Sequence, residues 1–175
     1  MTFIYILFGI VLLIILLGLI APKNYEVSRT IVIERDLKDV FQYLKLVKNQ
    51  DDWSPWKKKD PNMVQSSIGT DGEVGFISKW KGNKDVGEGE QEIINITENE
   101  SIDSQLRFFK PWKSESIAHI LVDTVDDDKT VVTWGFAGKN KFTMSIFMLF
   151  MNLDKMVGKD FEEGLASLKQ ILEKN

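Results

Sequence analysis

Residues 130–138 read TVVTWGFAG, and this stretch decides the fold class. Its bulky apolar residues alternate with small or polar ones, so that Val132, Trp134 and Phe136 fall on one face of an extended strand. An alternation of period two is typical of a β-strand with one buried face. A sheet that contains this strand must cover the face of Trp134 with a second layer of structure.

The last segment of the chain can supply that layer. Residues 142–174 carry apolar side chains at intervals of three and four, which predicts one long amphipathic helix. Gly158 and Gly164 lie within it and permit a close approach or a bend. The apolar positions are Phe147, Met151, Val157, Phe161, Leu165, Leu168 and Leu172.

Residues 25–137 consist mainly of segments with strand character and contain one short predicted helix. A strand is predicted at residues 25–34, and a helix at 37–47 with Asp36 as its N-cap. Six further strands are predicted at residues 63–68, 74–80, 88–96, 102–109, 114–125 and 130–137. Short turn-rich segments between them favour an antiparallel meander, so we expect an α+β protein whose sheet packs on the C-terminal helix.

The N-terminal residues 3–21 contain no charged side chain. As a helix they would be about 28 Å long at ~1.5 Å per residue, which suffices for a bilayer core about 30 Å thick. A cleaved signal peptide is the alternative. Against it, no Lys or Arg precedes the apolar run, the run is longer than usual, and Pro22 follows Ala21, the one plausible cleavage residue. A retained transmembrane anchor is therefore favoured.

The basic residues near this span predict its orientation. Lys23, Arg29, Arg35 and Lys38 follow it, so the positive-inside rule favours a single-pass membrane protein with a cytoplasmic C-terminal domain. The predicted domains are an anchor at residues 1–22 and a single folded domain at 23–175.

Composition excludes several classes of function. The chain has no cysteine, hence no disulfide and no cysteine-ligated metal. Its net charge is −4 and it has no basic stripe with interleaved aromatics, which argues against nucleic acid as a partner. The run Lys57-Lys58-Lys59 has two interpretations, a solvated loop or a contact with anionic lipid head groups.

No catalytic constellation is present in the sequence. His119 is the only histidine, in a predicted strand, and is a weak candidate for a general base. Glu88, Glu90 and Glu92 alternate along one strand, where carboxylates most often face solvent. We therefore predict no metal site and no cofactor, and we expect a binding protein rather than an enzyme.

Several stretches together resemble one family. The chain is similar to the START-like superfamily, in particular to the membrane-anchored bacterial polyketide cyclase/dehydrase-like proteins often called SRPBCC. The similar stretches are APKNYEVSRTIVI, WSPW followed by DPN, GNKDVGEGEQEI, FFKPW, KTVVTWGFAGKN and LDKMVGKDFEEGLASLK. The resemblance runs from the anchor to the last helix. It implies a helix-grip fold, in which a curved antiparallel sheet wraps the long C-terminal helix and encloses an apolar cavity.

Aromatic and sulfur-containing side chains dominate the parts of the chain that would surround such a cavity. A solid core would use the same residue types, but Met and aromatic residues are also typical of concave apolar sites. Gln91, Ser78 and His119 could add polar groups. The predicted ligand-binding residues are Trp53, Trp56, Phe76, Trp80, Gln91, Phe108, Trp134, Phe136, Phe147 and Met151.

Three functions remain open from the sequence. The first is a membrane-tethered binding module for a lipid or other hydrophobic small molecule. The second is a cyclase/dehydrase-like enzyme with a hydrophobic substrate. The third is a ligand-free interaction or regulatory module. Residues 142–153, apolar on nearly every side, could also lie on the bilayer surface.

Overall fold

A computed structural model describes residues 2–126 and 128–174, and its centre is a curved, seven-stranded antiparallel sheet. The strands are β1 (Asn24–Ile33), β2 (Val64–Ile68), β3 (Ile77–Lys81), β4 (Glu88–Thr97), β5 (Ser101–Lys110), β6 (Ser114–Asp126) and β7 (Lys129–Lys139). Their spatial order is β1-β7-β6-β5-β4-β3-β2. Strands β2 to β7 form the predicted meander, and β1 closes its far edge by pairing with β7.

Six α-helices accompany the sheet in the described part of the chain. They are α1 (Thr2–Ile20), α2 (Leu37–Lys45), α3 (Gln50–Trp53), α4 (Pro55–Lys59), α5 (Phe142–Met148) and α6 (Leu153–Leu172). One 3-10 turn, Val47–Asn49, joins α2 to α3. Helix α1 is long and apolar enough to cross a membrane, a property that a signal sequence shares.

The alternation in β7 is confirmed. Trp134 and Phe136 point to the inner face of the sheet, where both rings meet Phe161 of α6 edge to face, with centroid distances of 4.5 Å and 5.7 Å. Val132, on the same face, is fully buried. The predicted α+β architecture with a C-terminal helix against the sheet is thereby established.

The two glycines of α6 allow the helix to approach the sheet closely. A Cβ atom at Gly164 would lie 2.7 Å from the Trp134 ring, and one at Gly158 would lie 2.1 Å from the Arg29 guanidinium. The close approach predicted at both positions is therefore confirmed. Each glycine leaves space for a large side chain of the sheet.

The prediction of one continuous helix over residues 142–174 is wrong. Asn152 leaves the helical conformation, with φ −98° and ψ 96°, and its side chain accepts a hydrogen bond of 2.9 Å from the backbone N–H of Lys155. This N-cap starts α6 afresh, because it satisfies a backbone donor that a new helix leaves without an intrahelical partner. Helix α5 instead packs on the end of α1, with the Phe142 ring against Gly18.

One end of the sheet is filled by a tightly packed core. Val40, Phe41 and Leu44 of α2 are buried there together with Leu165 and Leu168 of α6. Helix α2 has the spacing and the Asp36 N-cap that the sequence predicts. Since these side chains fill the space between sheet and helix at this end, any cavity must lie toward the other.

The stretch WSPWKKKDPN at residues 53–62 contains the last residue of α3, the short helix α4 and a turn at residues 60–62. Trp53 is fully buried and meets Trp134 at 4.7 Å. Lys59 pairs with Asp160 at 2.7 Å and Lys58 with Glu163 at 3.6 Å, so these lysines attach α4 to α6. The lysine run therefore lies in a helix and not in a loop, and its contact with lipid head groups stays a prediction.

We expect Gly164→Ala to destabilise the protein, although alanine favours helices over glycine by about 0.5–1 kcal/mol. The new Cβ would overlap the Trp134 ring, and overpacking of this kind costs about 1–3 kcal/mol. Urea unfolding should show the loss. Gly9→Ala, in α1 with no atom within 4 Å of the added Cβ, is the matched control and should leave the domain unchanged.

Arg29 supplies a pH-sensitive contact between β1 and α6. Its guanidinium lies over Gly158 and pairs with Asp154 at 2.7 Å and with Glu162 at 2.6 Å. The hydrogen bond from Arg29 holds the pKa of Asp154 below its ordinary value of 3.8. The charged carboxylate therefore stabilises the fold above about pH 5, and this contribution is lost as the pH falls through 4 and below.

We expect Asp154→Asn to be less stable than the wild type at pH 7 and to lose less stability between pH 5 and pH 3. Thermal unfolding across this range would measure the difference. Asp85→Asn, which changes an exposed carboxylate with no ion pair in the described part of the chain, should follow the wild-type curve. Parallel curves for Asp154→Asn and the wild type would contradict the prediction.

Candidate functional site

A cavity of about 360 Å³ lies between the inner face of the sheet and the helices α4 and α6. It occupies the end of the molecule that the α2 core leaves free. Its walls are mainly apolar and aromatic. The sheet contributes Trp80, Ile102, Leu106, Phe108, Trp134 and Phe136, and the helices contribute Trp56, Val157 and Phe161.

A glycine in β4 shapes the wall formed by β3, β4 and β5. Trp80, Gly89 and Phe108 lie side by side in register across these strands. A Cβ atom at Gly89 would lie 2.6 Å from the Trp80 ring, so the indole lies across the glycine. It meets Phe108 edge to face at 5.8 Å. The two rings together form one continuous aromatic surface.

Buried polar atoms interrupt the apolar wall. Gln91 donates a hydrogen bond of 3.2 Å to the Ser104 hydroxyl. Ser54 also lines the cavity and is only 4% exposed, but its hydroxyl has no hydrogen-bond partner. It is the N-cap residue of α4 and makes no side-chain capping bond. An unpaired buried hydroxyl costs about 1–3 kcal/mol, and a polar ligand atom would remove that cost.

The exposed lining residues mark the mouth of the cavity. Most of them belong to two loops at one end of the sheet, and Asp51 of α3 and Gln65 of β2 complete the rim. The β3–β4 loop contributes Lys84 to Gly87, and the end of β5 contributes Lys110 and Pro111. The first loop is attached to α4, since the backbone N–H of Asn83 donates to the Asp60 carboxylate at 2.7 Å. Charged side chains thus border the mouth of the cavity, whereas apolar side chains line its interior.

The cavity brings together six of the ten predicted ligand-binding residues. These are Trp56, Trp80, Gln91, Phe108, Trp134 and Phe136. The other four lie elsewhere. Trp53 and Phe76 are buried in the core. Phe147 and Met151 are exposed, because they precede α6 and the long helix that was predicted to carry them inward is interrupted at Asn152.

The structure places the imidazole of His119 on the outer face of the sheet. His119 pairs in register with Gly135 and borders the cavity through its strand. Its Nε2 would lie 2.9 Å from a Cβ at Gly135, on the same side as Ser28 and opposite to the buried Val27. The weak catalytic candidate therefore points away from the cavity.

The alternating carboxylates of β4 are held in ion pairs on that outer face. Arg107 pairs with Glu90 at 3.0 Å and with Glu92 at 2.7 Å, and Glu88 pairs with Lys110. Within residues 2–126 and 128–174, no group of three His, Cys, Asp or Glu side chains could hold a metal ion.

Some lining residues were absent from the sequence prediction. Ile102, Ser104 and Leu106 share a strand and a face with Phe108, so the period of two could have identified them. Phe161 belongs to the predicted helical stripe. Ser54 has no such signal, because its position follows from how α3 and α4 meet.

A second depression, of about 670 Å³, lies on the outer face near the ends of β1, β5, β6 and β7. It is an open groove bordered by polar and charged residues, including Glu26, Gln105, Glu115 and Lys139. Despite its larger volume it encloses little, whereas small-molecule sites are concave and bury most of the ligand surface. The inner cavity is therefore the better candidate site.

Solved structures share this architecture. A protein from Nitrosospira multiformis is 18% identical with a TM-score of 0.58, covering 85% of this chain and 96% of that one. Ginseng major latex-like protein 151 from Panax ginseng is 12% identical with a TM-score of 0.60, covering 86% and 99%. The Aha1 dimer from Colwellia psychrerythraea is 20% identical with a TM-score of 0.54, covering 85% and 96%.

These similarities define the class of the fold. The chain has the helix-grip fold, as predicted, and identities of this size extend no further than the fold. No protein-family model and no curated protein matches the sequence. The narrower START-like resemblance therefore stays a prediction.

Two serine variants test the polar part of the cavity. We expect Ser54→Ala to keep or raise the free energy of unfolding, because it removes a hydroxyl that has no partner. Ser104→Ala deletes the same atom but breaks the bond from Gln91, and should cost about 1–3 kcal/mol. Urea unfolding of both variants measures the contrast, and equal losses would contradict the assignment.

Proposed function

We propose that the protein is a membrane-tethered binding module that holds a lipid or other hydrophobic small molecule in the cavity between sheet and α6. In this proposal residues 1–22 are the anchor and residues 23–175 the binding domain. The observation that carries it is the cavity itself, which has aromatic walls and a buried, unpaired hydroxyl at Ser54.

The distribution of polarity supports an apolar ligand with an uncharged polar group. The interior polar groups are those of Ser54, Ser78, Gln91 and Ser104, all of them neutral. The charged residues Asp51, Lys57, Lys84, Asp85 and Lys110 border the mouth, where each is exposed or half-buried. A hydroxyl, ester or amide of the ligand could pair with Ser54, while its apolar body contacts the rings.

The size of the cavity limits the ligand. Drug-sized pockets range from about 300 to 1,000 Å³, and 360 Å³ lies near the lower end. One small molecule or a single acyl chain suits this space better than a complete two-chain phospholipid. The ligand would enter with its polar group or chain end first, and any charged group would remain at the mouth.

Binding is favoured over catalysis by the orientation of the titratable groups. The His119 imidazole lies on the outer face, and Glu90 and Glu92 are paired with Arg107 on that face. A cyclase-like enzyme that relied on shape alone would use the same cavity. The binding proposal requires no convergent acid and base.

Membrane attachment is part of the proposal. Helix α1 is long and apolar enough to span a bilayer, and its end packs on α5 through Gly18 and Phe142. A signal peptide destined for removal has no need of a contact with the mature domain. The basic residues after α1 favour a cytoplasmic location for the domain.

Native mass spectrometry of residues 22–175, purified from cells and checked for folding by circular dichroism, tests the proposal. We expect a co-purifying apolar molecule, which lipid extraction would identify by class. The domain should also bind the neutral fluorescent probe N-phenyl-1-naphthylamine.

Two neighbouring tryptophan substitutions provide the control. Ala118→Trp places a large side chain in the cavity and should abolish probe binding, whereas Ile117→Trp places the same side chain on the outer face and should leave it unchanged. A folded domain that carries no molecule and binds no probe would contradict the proposed function.

A further inference from the structure

The strand ends and loops nearest to α1 lie together at one end of the sheet. Strand β1 begins directly after α1, and its first residue, Asn24, pairs with Lys139 at the end of β7. Because neighbouring strands are antiparallel, the β5–β6 turn and the β3–β4 loop lie at this same end, as the pairs of Lys110 with Glu88 and of Phe108 with Ser114 show. We call this the α1 end of the domain.

The mouth of the cavity lies at the α1 end. Four of its six exposed lining residues, Lys84, Asp85, Lys110 and Pro111, belong to the loops that end there. The opposite end is closed by the core around α2. The cavity thus opens on the side from which α1 departs.

The α1 end also exposes large apolar side chains. Trp112, in the β5–β6 turn, is 71% exposed, and Phe150, just after α5, is 79% exposed. Phe147 of α5 and Met156 of α6 are exposed as well. Tryptophan is typical of the membrane–water interface, and the exposed aromatic residues of this end suit a surface that meets a bilayer.

The turns of the two ends differ in charge, since at the α1 end those between α1 and β1, β3 and β4, β5 and β6, and β7 and α5 hold Lys23, Lys84, Lys113 and Lys141 against the single acid Asp85. Lys84, Lys113, Lys139 and Lys141 are exposed at the α1 end, and none makes an ion pair with any residue that the structure describes. The turns of the far end carry mainly acidic residues, although the chain as a whole has a net charge of only −4. These acidic residues are Asp71, Glu73, Glu98, Glu100, Asp126 and Asp128.

The α1 end is held near the point where α1 ends. Asn140 donates its backbone N–H to the carbonyl of Lys23 at 2.8 Å and its side-chain amide to the carbonyl of Pro22 at 3.2 Å. The Lys23 ammonium donates to the carbonyl of Gly18 at 2.9 Å. The connection between anchor and domain is therefore hydrogen-bonded on both sides.

We propose that the α1 end is a docking surface for the anionic lipid of the bilayer that α1 spans, so that the cavity mouth is seated on the membrane. Trp112, Phe147 and Phe150 enter the interface, and the unpaired lysines contact lipid phosphates. A ligand then passes between bilayer and cavity without crossing water. This inference rests on the proposed membrane anchor, but it does not require that the ligand be identified.

The absence of cysteine from the sequence allows a direct test with the full-length chain. Single cysteines at Trp112→Cys, Phe150→Cys and, as far-end control, Glu100→Cys would carry a bimane label in vesicles of phosphatidylcholine with 30% phosphatidylglycerol. Nitroxide-labelled lipids should quench the labels at 112 and 150 several times more strongly than the label at 100. Equal quenching at all three positions would overturn the proposal.

A charge-reversal pair tests the electrostatic part. A basic residue near an anionic surface contributes about 1 kcal/mol, so Lys113→Glu with Lys141→Glu should weaken docking roughly tenfold or more. Quenching at position 150 should fall toward its value in pure phosphatidylcholine. Lys38→Glu with Lys48→Glu, an equal charge change near α2, should have no effect. Unchanged quenching in the first pair would overturn the role of anionic lipid.

Flotation of the same samples separates this inference from the proposed function. Protein that floats with the vesicles while its labels at 112 and 150 stay unquenched retains the anchor and refutes the docking surface. Protein that does not float after alkaline washing refutes the anchor itself and the docking surface with it. Loss of the ligand in native mass spectrometry, with quenching intact, would count against the binding function alone.

Discussion

The packing of Trp134 against α6 is the contact on which the rest of the structure depends. Its ring meets Phe161 at 4.5 Å and Trp53 at 4.7 Å, and the missing side chain of Gly164 gives it room. One indole thus connects the sheet, the C-terminal helix and the short helices. The same ring forms part of the cavity wall. Core packing and cavity shape are therefore coupled, and a change in one must alter the other.

Much of the fold could be predicted from the sequence because the apolar residues of its central strands and of its helices recur at regular intervals. The inner face of β7 and the capped start of α2 at Asp36 follow from patterns of two and of three to four residues. The break at Asn152 could not be predicted, because apolar residues recur at intervals of three and four on both sides of it. It depends on one side-chain capping bond and on the tertiary contact of Phe142 with Gly18.

The candidate site was only partly accessible from sequence, for a related reason. Residues carried by strands, such as Trp80, Gln91 and Phe108, have a face that alternation determines. Trp53 and Trp56 are adjacent in one motif, yet one is buried in the core and the other lines the cavity. That division depends on the angle between α3 and α4, which periodicity does not encode. For His119, alternation predicts which residues of its strand share its face, but it does not predict that this face is the outer one.

The linker between α1 and β1 has a consequence for the range over which the domain can act. It comprises residues 21–23, which span about 10 Å even when extended. With α1 in a bilayer, the domain cannot diffuse across an aqueous gap in the manner of a soluble shuttle. Under the proposed function it would exchange its ligand with the membrane that holds it, and would reach a second membrane only where the two are closely apposed.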